Sequence, residues 1–68
     1  MVHDARLVAV PTQHLAAISE LVNTIGVVAA TRKLKLSRTA IFGALATGQV
    51  MPGSAAIIRE FFRAQRTA

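Results

Sequence analysis

Val27-Val28-Ala29-Ala30-Thr31-Arg32-Lys33-Leu34-Lys35-Leu36-Ser37-Arg38-Thr39-Ala40-Ile41-Phe42-Gly43-Ala44-Leu45 is the stretch on which the fold turns. Apolar residues recur in it at helical steps on either side of an interruption at Lys35-Leu36. That spacing predicts two short helices. One begins near Val27 and carries Val28, Ala30, Thr31 and Leu34; the next follows Ser37, whose hydroxyl can cap a new first turn. Counted from Val27, the fourth, eighth, tenth, fifteenth and eighteenth positions hold Ala30, Leu34, Leu36, Ile41 and Ala44, all apolar. These are the inward slots of a helix-turn-helix, where two helices cross steeply over a turn of about three to four residues. A frame shifted back by one residue would bury Lys35, with no neighbour to offset its desolvation. The chosen frame keeps every charge outward.

Outward from this stretch the pattern stays helical. Leu15, Ile18, Leu21 or Val22, and Ile25 predict a helix over residues 12–25, with Thr12 as its N-cap and Gly26 as a left-handed C-cap. Thr47-Gly48 closes the helix that follows Ser37, and Gln49-Val50-Met51-Pro52-Gly53 reads as a loop. Ser54 is placed to cap a last helix with an apolar stripe of Ile57, Ile58, Phe61 and Phe62. Leu7-Val8-Ala9-Val10 is a β-compatible run ended by Pro11. The expected architecture is all-α, a compact bundle of four to five short helices. Residues 1–11 form a short strand or arm, and residues 12–66 the helix-turn-helix domain.

Composition narrows the function classes. A chain of 68 residues is one domain, and chains near that size bury only about 60% of their unfolded surface. It has no cysteine, hence neither a disulfide framework nor a thiolate zinc site. His3 and His14 are separated, and two isolated histidines do not make a metal site, so none is expected. No Ser/His/Asp set, paired carboxylates or phosphate-cradling glycine run can be assembled, which argues against an enzyme and against a bound cofactor. An apolar content of 53% argues against a disordered basic tail. The most apolar stretch, residues 15–30, is broken by polar residues and falls short of the roughly 20 needed to cross a bilayer. With no secretory pattern at residues 1–6, a cytoplasmic protein without membrane or small-molecule partners is expected.

The charge is concentrated. Four of the eight basic residues, Arg32, Lys33, Lys35 and Arg38, lie within seven positions, and no acidic residue occurs between Glu20 and Glu60. A basic stripe across such a turn is the footprint expected for neutralising phosphates.

Residues 28–41 resemble the helix-turn-helix of lambda-repressor-like regulators of the Cro and phage-repressor type. The segment Leu45-Ala46-Thr47-Gly48-Gln49-Val50-Met51-Pro52-Gly53-Ser54 is similar to the loop after the recognition helix in that family, where a Gly precedes a Pro by four residues and a helix cap follows. The resemblance covers residues 12–62. It departs at two positions: Lys35 stands where the turn commonly has Gly, and Thr31 where the first helix usually has Ala. It implies a bacterial or phage-like transcriptional regulator, a repressor, that binds double-stranded DNA as a homodimer.

If the helix after Ser37 enters the major groove, Ser37, Arg38 and Thr39 meet the DNA first, with Phe42 and Gly43 a turn later. Arg38 suits either guanine O6 and N7 or a phosphate. Phe42 either packs on a thymine methyl or tucks against the last helix. Gly43 suggests close approach by a neighbouring helix or by DNA. Arg32, Lys33, Lys35 and Gln49 suit phosphates, and Arg59, Arg63 and Arg66 a solvated face. Val8, Val10, Phe61 and Phe62 are candidates for a dimer interface. Two other classes fit a basic helical chain: a protein-interaction module of antitoxin or anti-activator type, and an excisionase-like architectural DNA binder.

Overall fold

The computed structural model describes residues 6–67, with side chains as far as Gln65. It consists of β1 (Val8–Ala9), α1 (Thr12–Ile25), α2 (Val27–Leu34), α3 (Arg38–Thr47), β2 (Gln49–Val50) and α4 (Pro52–Thr67). The chain is mostly helical, as expected, with four helices and a short sheet in which the two strands pair antiparallel, Val8 opposite Val50 and Ala9 opposite Gln49. The stretch expected as a loop from Gln49 is therefore a strand followed at once by a helix. The strand expected within residues 1–11 is β1.

Proline displaces the hydroxyl caps. Pro11 occupies the N-cap of α1 with φ −54° and ψ 139°, and its carbonyl accepts the amides of His14 and Leu15 at 2.9 and 3.0 Å. Thr12 is the first helical residue and caps nothing. Pro52 likewise opens α4, a position where its missing N–H costs nothing. Met51's carbonyl accepts the Ala55 amide at 2.9 Å, and Ser54 lies inside the helix rather than at its cap.

Gly26 alone joins α1 to α2. Its φ of 87° and ψ of 161° lie outside the left-handed helical region expected there, in territory open essentially to glycine. Its N–H donates to the Val22 carbonyl, and its own carbonyl accepts the Ala30 amide at 3.0 Å. One residue thus ends one helix and starts the next.

Between α2 and α3 the chain reverses through Lys35, a left-handed residue at φ 60° and ψ 39°. The amides of Lys35 and Leu36 both donate to the Thr31 carbonyl, the latter at 3.1 Å, which closes α2 in the manner of a Schellman turn. Thr31 keeps its hydroxyl satisfied locally, donating to the Val28 carbonyl at 2.6 Å. Ser37 caps α3 as expected: its Oγ accepts the Ala40 amide at 3.1 Å. Gly48 ends α3 in the left-handed region, its amide donating to Ala44 at 2.7 Å.

All five inward slots are buried: Ala30, Leu34, Leu36, Ile41 and Ala44 join Val10, Ile18, Val50 and Ile58 in one core, flanked by half-buried Leu15, Leu21, Val22, Leu45, Phe61 and Phe62. No charged or polar residue is buried among those described. The apolar stripe of α4 is narrower than expected, because Ile57 faces out at 39% exposure while Ile58 is buried. Val10 is core rather than interface, and its amide donates to the Gly48 carbonyl at 2.9 Å.

Candidate nucleic-acid interface

α3 has one dry side and one wet side. Ile41 and Ala44 are buried, whereas Arg38, Thr39, Phe42 and Ala46 are exposed. At about 100° per residue, those four occupy a single sector of roughly 100°. Ser37 leads into this face with its hydroxyl oxygen engaged by Ala40.

Arg38 is the first residue of α3, and that first turn contains no acidic residue. A helix N-terminus carries about half a positive charge, so a cation there costs roughly 0.3–1 kcal/mol. Helix stability gives no reason for Arg38. Arg32 and Lys33 differ: they sit in the last turn of α2, where the dipole favours cations. Lys35 stands in the turn between them and Arg38. All four are exposed, and among the described residues none pairs with a carboxylate; the ion pair seen, Arg63–Glu60 at 2.8 Å, is on α4. The glutamate beside Arg63 raises that guanidinium's pKa further above its ordinary value through hydrogen bonding and charge. Glu60 therefore accompanies a cation remote in sequence from the turn, and the turn stays uniformly positive.

Phe42 is 48% exposed and lies outside the core. The rings of α4 are engaged with one another and with α1: Phe62 stacks on His14 at 4.3 Å and meets Phe61 edge-on at 5.1 Å. Gly43 is half-buried, and a Cβ built on it meets nothing within 4 Å, so no neighbouring helix requires glycine there. Gln49 is separated from this group. It belongs to β2, past the far end of α3 and about 15 Å of helix from Arg38, with its amide donating to Thr47 Oγ1 at 3.2 Å. Ser37, Arg38, Thr39, Phe42 and Gly43 thus share α3 and its cap, with Arg32, Lys33 and Lys35 at the adjoining end of α2.

Comparison with known proteins adds nothing to this geometry. No protein-family model, curated protein or solved structure matches the chain.

The remaining surface contains two features the residue pattern did not disclose. An open groove of about 510 Å³ between α1 and α4 is lined by Gln13, His14, Arg59, Phe62 and Arg63, where no ligand-sized concavity was expected. His14 Nδ1 is buried there without a hydrogen-bond partner, and the imidazole serves as a stacking surface. Leu7, Val8, Met51 and Ile57 are exposed apolar residues around the strand pair and α4. Val8 is an interface candidate from the sequence; Leu7 and Met51 fall in segments with no period, and the register of α4 decides which isoleucine faces out. No group of three metal-ligating side chains occurs among the described residues; His3 lies outside them. No helix among them is long and apolar enough to cross a membrane.

Proposed function

We propose that this chain is a sequence-specific double-stranded DNA-binding protein, a transcriptional regulator of repressor type acting in the cytoplasm, with α2 and α3 working as a helix-turn-helix. The observation that carries it is Arg38, a cation with no carboxylate partner among the described residues, at the unfavourable end of α3 and the head of the helix's exposed face. A phosphate or a guanine edge supplies the negative partner that the fold withholds. Arg32, Lys33 and Lys35 meet phosphates on the same duplex, and Thr39 and Phe42 follow Arg38 into the major groove.

Burial supports the same reading. Ala30, Leu34, Leu36, Ile41 and Ala44 are the residues such a motif must keep inside, and all five are inside. Lys35 takes the left-handed turn conformation that the family resemblance places at this slot, so its departure from glycine changes the strain and not the path. For a homodimer, Leu7, Val8, Met51 and Ile57 replace Val10, Phe61 and Phe62 as the proposed contact, because the latter are wholly or half withdrawn into the core. A two-fold dimer requires half-sites about one helical turn apart.

Fluorescence anisotropy with a random-sequence duplex, titrated at several salt concentrations, tests the proposal. Three phosphate-facing cations, Arg32, Lys33 and Lys35, give a slope of about −2.7 per protomer in log K against log salt, or roughly a fortyfold loss between 50 and 200 mM salt. Absence of binding at 50 mM salt, or binding indifferent to salt, would refute it.

A further inference from the structure

We infer that Phe42 reads the 5-methyl group of a thymine, making the protein selective for a half-site with a thymine about two base pairs from the position met by Arg38. The inference rests on the DNA-binding proposal and adds a base preference to it. Of the three phenylalanines, two are engaged with each other and with His14, and Phe42 alone remains 48% exposed. It sits near the centre of the wet face of α3, one turn after Arg38 and one turn before Ala46.

Its neighbours on that face are small. Thr39 and Ala46 are short, and beside them Gly43 has open space where a Cβ would stand. The ring is thus the most prominent apolar group on a face that a large surface can approach closely. The cations around it, Arg32, Lys33, Lys35 and Arg38, select a polyanion, with no acidic residue from position 21 to 59 to oppose one. A protein or membrane partner would have to combine dense negative charge with a local apolar spot. The major groove does so by construction: its base edges carry one apolar substituent, the C5-methyl of thymine, between two rows of phosphates. Four residues of helix advance about 6 Å, close to two base-pair steps of about 3.4 Å, which sets the spacing from Arg38.

The test begins with selection of tight binders from a random duplex pool by the full chain, and then compares each selected duplex with an otherwise identical one carrying uracil for thymine. The wild type is expected to bind the uracil duplex about fourfold more weakly per half-site, the factor equivalent to one buried methyl-sized group. Phe42→Ala, on an exposed side chain, should keep the wild-type melting curve, lose affinity for the thymine duplex, and bind both duplexes equally. Equal binding of both duplexes by the wild type, with salt-dependent affinity intact, overturns the Phe42 assignment and leaves the DNA-binding proposal standing. So does a Phe42→Ala protein that still discriminates thymine from uracil. Failure of the wild type to retain any duplex at 50 mM salt overturns both.

Discussion

Reversing the charge of Arg38 separates folding from binding more cleanly than any other single change. Arg38→Glu removes a cation from the positive end of α3 and places an anion there, in a first turn that has no acidic residue of its own. Each half of the exchange is worth roughly 0.3–1 kcal/mol at low ionic strength. The side chain is exposed and therefore screened, so the lower part of the sum applies, about 0.5–1 kcal/mol of added stability. For a domain of this size that is a rise in melting temperature of roughly 2–8 °C. Circular dichroism melts at about 10 mM and 0.5 M salt check it, with the gain expected to shrink at the higher concentration. On the DNA-binding proposal the same variant should lose duplex retention in an anisotropy titration, since an anion replaces the cation proposed to face the duplex. A protein stabilised by the substitution that bends an affinity curve towards zero is hard to explain by misfolding. If Arg38→Glu instead destabilised the fold by more than about 0.5 kcal/mol, Arg38 would have a structural partner, and the inference from its misplaced charge would fail.

Three further outcomes follow from backbone geometry. Lys35→Gly relieves a left-handed residue, worth roughly 1–2 kcal/mol, against a glycine entropy cost of about 0.5–1 kcal/mol; the net is a neutral to ~1.5 kcal/mol stabilisation in urea melts, with the salt slope of DNA binding lower by about 0.9. Gly43→Ala fills open space on a helix and should raise stability by about 0.8–1.0 kcal/mol, again by urea titration, since nothing lies within 4 Å of the new Cβ. Gly26→Ala, by contrast, forces a side chain into φ 87° and ψ 161° and should cost about 1–3 kcal/mol despite equally open surroundings, visible as a lowered melting temperature.

The helices were legible because their ends are punctuated. Pro11 and Gly26 bracket α1, Ser37 and Gly48 bracket α3, and the apolar spacing between them repeats long enough to fix which side is inside. The caps at Thr12 and Ser54 were misplaced for one shared reason. Each hydroxyl comes shortly after a proline whose preset φ starts the helix before the hydroxyl is reached, so the carbonyls of Pro11 and Met51 close the first turns instead. The strand pair was hidden by distance and brevity. Two residues at each end, some forty positions apart, carry no period, and Val50 looks like any loop valine until Val8 is set opposite it. Within the candidate site, the cation cluster was plain because Arg32 to Arg38 are neighbours in the chain. The exposure of Phe42 is less legible, because a helical period leaves open what packs over its outer side, and the pairing of Gln49 in β2 carries no local signal.

That strand pair changes what the N-terminal segment does for α3. A free arm would leave the C-terminal end of α3 tethered by a loop. Instead the Val10 amide holds the Gly48 carbonyl, β1 pairs with the residues that follow, and Val10 and Val50 are both buried. At the other end, Ser37 caps the helix and the Lys35 turn ties it to α2. α3 is thus fixed at both termini and along its inner side by Ile41 and Ala44, while Arg38, Thr39, Phe42 and Ala46 remain exposed. Substitutions at Thr39, Phe42 and Ala46 are therefore expected to move stability by no more than about 0.5 kcal/mol, and at Arg38 only by its dipole contribution. A helix clamped in this way presents its outer residues in one orientation whatever they are. If α3 reads DNA as proposed, exchanging those four exposed side chains should change the base preference with the core untouched.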